Sequence, residues 1–131
     1  MVRDPIPFVD GLRRRNSSDI FSAIHFVKKA YDYQLKNMES IPLEDRVFIS
    51  YEMLCDETNK TLAELESFLP DLGAISGDLK AKAHNSSGRP MSISNQNNNS
   101  YENLSKEEIE IIRSELGKHE SIINFYPNFG Q

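Results

Sequence analysis

The chain opens with Met1-Val2-Arg3-Asp4-Pro5, the stretch from which its fold class is inferred. An apolar residue followed by an arginine, an acid and a proline is typical of a buried strand that ends in a tight turn. No cap or polar lead-in precedes Val2, and a single apolar residue cannot make a strand. We therefore expect either an arm of unusual design or a larger domain whose first half is missing.

Composition narrows the class of protein. The chain has 131 residues, enough for one domain with its own core, and 38% of them are hydrophobic, so we expect part of the chain to be loop. The net charge is −5, and the acidic excess falls wholly in residues 47–131. Broad nucleic-acid binding is therefore not expected, because affinity for the phosphate backbone needs clustered cations.

The same composition predicts a cytoplasmic protein without a membrane segment. No apolar run approaches membrane-spanning length, and nothing after Met1 resembles a signal peptide. The single Cys55 cannot form an internal disulfide. The one basic cluster, Arg13 to Arg15, is interpreted as a solvated helix end, with a local phosphate contact as the alternative.

Helical patterns dominate both ends of the chain. Residues 7–14 are predicted to form a short helix, and the break at 16–18 precedes an amphipathic helix that reaches about residue 38. A capping box at Ser105 marks the start of the last helix. The apolar stripe of the long helix consists of Ile20, Ile24, Val27, Tyr31, Leu35 and Met38.

The middle of the chain predicts a second strand and a long loop. Val47-Phe48-Ile49 is continuously apolar, which suits a strand covered on both faces, as in a parallel sheet. A helix is predicted for residues 57–68. The Asn- and Ser-rich segment 84–104 predicts a long polar loop, either a functional lid or a disordered stretch. The order of elements predicts an α/β chain that is mostly helical with two short parallel strands.

Few chemical motifs are present. The three histidines lie far apart in sequence, with no ligand-type spacing to each other or to Cys55, so no metal site is predicted. No Gly-rich phosphate loop and no nucleophile elbow occur.

Two strand ends remain as candidate binding positions. Arg3 follows the first predicted strand and Tyr51 follows the second, and ligands of parallel α/β sheets bind beyond the carboxyl ends of strands. The planar guanidinium of Arg3 suits a phosphate, and a tyrosine ring can stack on a base. The alternative is structural: Arg3 pairs with Asp4 or Asp10, and Tyr51 is a buried core ring.

These residues resemble the sulfotransferase family. The opening turn resembles the family's Arg-Asp-Pro turn. The segment Arg46–Cys55, continuing to Thr61-Leu62 and Phe68-Leu69, is similar to the family's strand, its Tyr-Glu-Asp-Leu turn and the helix that follows. The final capped helix, after Ser86–Pro90, resembles that of bacterial members. The order and rough spacing of these short motifs match across nearly the whole chain.

The resemblance implies a P-loop-NTPase-like domain with a central parallel sheet. It also implies transfer of a sulfuryl group from 3′-phosphoadenosine 5′-phosphosulfate to a hydroxyl or amine, without a metal. By this resemblance Arg3 binds the 3′-phosphate and Tyr51 lies near the adenine. Gly11 stands where the family usually has a serine on the same phosphate. Arg89, with Lys82 behind it, is the candidate for the basic residue that members bring from a late loop.

The family places its 5′-phosphosulfate loop and its general base upstream of the Arg-Asp-Pro turn. The resemblance therefore implies that residues 1–131 form one C-terminal portion, without a catalytic residue and inactive unless a missing N-terminal half complements it. A second hypothesis is a non-catalytic helical interaction module derived from such a domain. A third is half of a nucleotide kinase, against which the Tyr51-Glu52-x-Leu54 turn argues.

Overall fold

The computed structural model describes residues 1–74, 81–82, 90–91 and 93–130. Helices predominate in these ranges. The α-helices are α1 Pro5–Asn16, α2 Ile20–Ser40, α3 Tyr51–Asp56, α4 Thr58–Phe68, α5 Asn97–Asn103, α6 Lys106–Leu116 and α7 Glu120–Phe125. Two short 3₁₀ turns cover Leu43–Asp45 and Pro70–Leu72, and two strands cover β1 Ala81–Lys82 and β2 Pro90–Met91. The chain divides into two compact units, residues 1–46 with 96–131, and residues 47–95.

Helix α1 begins at Pro5, two residues earlier than its sequence pattern predicts. Asp4 is the N-cap, and its Oδ1 accepts a hydrogen bond from the backbone N–H of Ile6 at 3.0 Å. Pro5 at the first helical position lacks an N–H that would have no partner there. The helix ends where Ser17 adopts a left-handed conformation, with φ 48°. Asp4-Pro5 is thus a capped helix start, with Arg3 immediately before it.

Helix α2 supplies the long apolar face of the first unit. Its cap is Asp19, one residue after the break at 16–18 that the sequence predicts to supply it, and Oδ1 of Asp19 accepts from the backbone N–H groups of Phe21 and Ser22. The face packs into a core to which α1, α6 and α7 also contribute. The buried apolar members of this core are Val2, Ile6, Val9, Ala23, Ile24, Val27, Tyr31, Leu104, Ile112, Leu116 and Ile122.

Helices α5, α6 and α7 complete the first unit. Residues 97–103, within the segment predicted as a long polar loop, form α5 instead. The predicted capping box of α6 is present: Ser105 Oγ accepts from the backbone N–H of Glu108, and Glu108 Oε2 accepts from the backbone N–H of Ser105. Helix α7 begins at Glu120 after a short break, so the predicted last helix is two helices.

The α/β prediction with two short parallel strands is wrong. Residues 47–49 form no strand, and in the described ranges the strands that pair are β1 and β2, which are antiparallel with Ala81 opposite Met91. The physical reason is exposure: Val47 and Phe48 are 38% and 41% exposed, so the apolar run is not covered on both faces as a parallel strand requires.

The second unit contains α3, α4 and the β1–β2 pair. Ser50 caps α3, with its Oγ accepting from the backbone N–H of Met53 at 3.0 Å. A hydrogen bond links α4 to α3: the hydroxyl of Thr61 donates to the carbonyl of Met53 at 2.8 Å. In the part of the chain that the structure describes, no helix has both the length and the apolar character needed to cross a bilayer.

Candidate functional site

The opening turn is held by side chains that are distant in sequence. The Nε of Arg3 donates to Oδ1 of Asn97 on α5 at 2.9 Å. The hydroxyl of Tyr31 on α2 donates to the backbone carbonyl of Arg3. Asp4 accepts from the hydroxyl of Tyr101 at 2.7 Å through its Oδ2. Together with the cap to Ile6, these bonds hold the backbone of Arg3 and the side chains of Arg3 and Asp4 in place.

Arg3 and Gly11, two of the predicted site residues, lie side by side. A Cβ built on Gly11 would be 3.9 Å from Nη1 of Arg3, and apart from the neighbouring residues and backbone of its own helix no atom comes closer. The guanidinium therefore extends along the first turns of α1 and ends over a residue that has no side chain. Gly11 leaves room beside a cation, which is a geometry suited to an anion.

Tyr51 belongs to the second unit, as the first residue of α3. Its ring is half-buried, and its hydroxyl donates to the carbonyl of Ser94 at 3.2 Å within the same unit. It is neither a fully buried core ring nor a freely exposed one. Arg89 lies outside the described residues, and of Lys82 only the backbone of β1 is described.

The basic cluster at the end of α1 is engaged by acids. Arg14 Nε donates to Oδ2 of the buried Asp10 at 3.0 Å. Arg13 forms an ion pair with Glu108 on α6. The pKa of Glu108 is held below its usual value, first by the backbone N–H of Ser105 and then by the Arg13 guanidinium. Arg13 therefore joins α1 to α6 and is more than the solvated helix end expected from the sequence, whereas Arg14 pairs within its own helix.

A cavity of about 360 Å³ lies beside Asp4 in the first unit. Four of its nine lining residues are aromatic, and Arg3, Gly11 and Asn97 do not line it, so it does not coincide with the Arg3–Gly11 position. The lining residues are Asp4, Ile6, Tyr101, Arg113, Phe125, Tyr126, Pro127, Asn128 and Phe129. Among the described residues, no group of three histidine, cysteine or acidic side chains is placed to hold a metal ion.

Sequence reasoning missed Asn97 and Tyr101. Both lie in the Asn- and Ser-rich segment, where no apolar period or cap distinguishes one asparagine from the next. Asn97 is 94 positions away from Arg3, so no local pattern can reveal their contact. The available signal was the capping box at Ser105, which shows that ordered helix begins close by.

The chain matches no protein-family model, no curated protein and no solved structure. The likeness to sulfotransferases therefore rests on the short motifs quoted above.

Proposed function

We propose that this chain provides the nucleotide 3′-phosphate and adenine subsite of a cytoplasmic, sulfotransferase-like protein. In this proposal Arg3 binds the 3′-phosphate of 3′-phosphoadenosine 5′-phosphosulfate, and Tyr51 and Arg89 contribute to nucleotide binding. The acceptor of the sulfuryl group is a hydroxyl or an amine. No described residue is assigned as a catalytic base, so the proposed contribution of this chain is donor binding rather than proton transfer.

The observation that carries the proposal is the position of Arg3 beside Gly11. The resemblance pairs an arginine with a residue eight positions later on one phosphate, and here the two residues are neighbours in space. An arginine supplies two parallel N–H donors to a phosphate and stays charged at any physiological pH. Because the described residues form no parallel sheet, the proposal rests on this helix-side geometry and not on the strand ends.

Calorimetric titration with 3′-phosphoadenosine 5′-phosphate tests the proposal. We expect binding that falls at least about tenfold in Arg3→Ala, because a charge-assisted contact is lost. Arg15→Ala, an exposed arginine near the end of α1, is the control and should bind as the unaltered chain does. Equal affinity for adenosine 5′-phosphate would contradict a 3′-phosphate subsite.

A second pair of variants tests Gly11. We expect Gly11→Ser to bind 3′-phosphoadenosine 5′-phosphate about tenfold more tightly than Gly11→Ala, because only the serine adds a hydroxyl beside the phosphate. A Cβ fits at this position, since Arg3 Nη1 lies 3.9 Å from it, which is ordinary van der Waals contact. Equal affinity of the two variants would argue that the phosphate does not sit over Gly11.

The interaction module is the second candidate, favoured by the outer surface of α2. Phe26 and Tyr33 are 55% and 66% exposed, and their seven-residue spacing places them on one face of the helix. Such a face suits an apolar helix of a second copy of this chain. Failure to bind either nucleotide, together with self-association in sedimentation experiments that Phe26→Ser and Tyr33→Ser abolish, would favour this candidate over donor binding.

A further inference from the structure

Asn97 has a buried amide side chain, although most residues of its helix are polar and exposed. Asn97 is the first residue of α5 and is 7% exposed, whereas the neighbouring Asn98 is exposed. Asparagine is seldom buried unless its polar atoms are bonded, because an unsatisfied buried amide costs free energy. The bond from Arg3 Nε to Asn97 Oδ1 provides such a partner and directs the amide to the opening turn.

Helix α5 contacts the opening turn at two points. Asn97 and Tyr101 are four residues apart and so lie on one face of the helix. Asn97 accepts from the side chain of Arg3, and Tyr101 donates to the carboxylate of Asp4. One short helix thus orients both charged residues of the turn, while Tyr31 holds the backbone of Arg3 from α2.

We propose that Asn97 is a positioning residue for anion binding by Arg3, an inference that rests on the proposed function. An acceptor on Nε fixes the plane of the guanidinium, in which Nη1 lies beside Gly11. A carboxylate could fix the same plane, but it would also bring a negative charge next to the bound phosphate. The neutral amide orients the cation without adding that repulsion.

Holding the Arg3 side chain in place before an anion binds should strengthen that binding. A free arginine side chain must give up its rotamer freedom when it binds an anion, whereas one that is already held loses less on binding. Removing the Asn97 amide should therefore weaken binding of a 3′-phosphate without affecting contacts to the rest of the nucleotide.

Nucleotide selectivity separates this role from general support of the fold. We expect Asn97→Ala to bind 3′-phosphoadenosine 5′-phosphate roughly tenfold more weakly while its affinity for adenosine 5′-phosphate changes little, because only the 3′-phosphate contact is lost. Asn98→Ala, on the same helix and exposed, is the matched control and should retain the full selectivity. Equal weakening toward both nucleotides would show a merely structural role and overturn the inference.

Asn97→Asp provides a test that does not depend on lost stability. The carboxylate retains an acceptor for Arg3 Nε, so the melting temperature should be at least that of the unaltered chain, yet 3′-phosphate binding should fall as it does in Asn97→Ala. Unchanged binding in both Asn97 variants overturns the positioning role alone. An unaltered chain that binds neither nucleotide overturns the proposed function and this role together.

Discussion

Single side chains decide the conformation of the opening turn. Tyr31 shows this most clearly: its ring is fully buried among the aromatic rings of Phe8, Phe125 and Tyr126, and its hydroxyl donates to the carbonyl of Arg3. The ring provides apolar contact, and the hydroxyl satisfies a backbone group that would otherwise need water. One residue of α2 therefore both fills the core and fixes the arginine.

Replacing Tyr31 by phenylalanine removes the hydroxyl and keeps the ring. We expect a loss of about 1 kcal/mol in the free energy of unfolding, since the Arg3 carbonyl loses its hydrogen-bond donor. Urea unfolding, monitored by circular dichroism, measures this loss in the free energy of unfolding. Tyr33→Phe, on the same helix with an exposed ring, should cost nothing measurable, and an equal cost in the two variants would show that the bond to Arg3 contributes no stability.

Helix boundaries depend on short polar sequences at their ends. Helix α6 is the clearest case, because its capping box satisfies two backbone N–H groups that have no partner within the helix. Glu108 contributes twice, accepting from the backbone of Ser105 and pairing with Arg13 on α1. A local cap is thereby connected to the packing of two helices.

The Ser105 cap can be removed without altering the core. We expect Ser105→Ala to lower the free energy of unfolding by about 1 kcal/mol, the usual cost of losing an N-cap side chain. Ser114→Ala, the same substitution in the interior of the same helix, should be neutral or slightly stabilising because alanine favours helix. Thermal unfolding of the two variants makes the comparison. Similar losses from both would contradict the importance of the cap.

The first unit is assembled from the two ends of the chain. Residues 1–46 provide α1 and α2, and residues 96–131 provide α5 to α7. Beyond the shared apolar core, a polar contact joins α2 to the last helix: Ser121 donates to Oδ1 of Asp32, and Nε2 of His119 lies 2.8 Å from the same oxygen. The pKa of Asp32 is lowered, chiefly by the Ser121 hydroxyl and also by His119, against an opposing effect of burial.

This contact predicts a pH dependence of stability. Because the pKa of Asp32 is depressed in the folded chain, its contribution is present above the ordinary value of 3.8 and is lost as pH falls through the lower folded pKa. We expect the difference in unfolding free energy between the unaltered chain and Asp32→Asn to shrink from about pH 5 to about pH 2. Urea unfolding across this range measures it.

The control for this pH series is Asp45→Asn, an exposed carboxylate in the same unit. The difference in unfolding free energy between Asp45→Asn and the unaltered chain should stay nearly constant over the same pH range. A constant difference for Asp32→Asn as well would show that the bonds from Ser121 and His119 do not stabilise the ionised carboxylate.

The amino-acid sequence was sufficient for those features that depend on neighbours along the chain. The period of Ile20, Ile24 and Val27 predicts α2, and the Ser105 box predicts the start of α6, because helix hydrogen bonds and caps connect residues only three or four positions apart. The resemblance names Arg3 and Gly11 as site residues; the folded chain brings them side by side, and their role stays a prediction.

Features that depend on distant partners required the folded molecule. The apolar run 47–49 predicts a strand, but a strand needs a neighbour to complete its hydrogen bonds, and among the described residues no strand pairs with this run. The role of Asn97 is likewise set by a residue 94 positions away. Two things therefore determine the conformation of the opening turn. The local sequence sets the helix start, and packing against α2 and α5 sets the direction of the Arg3 side chain.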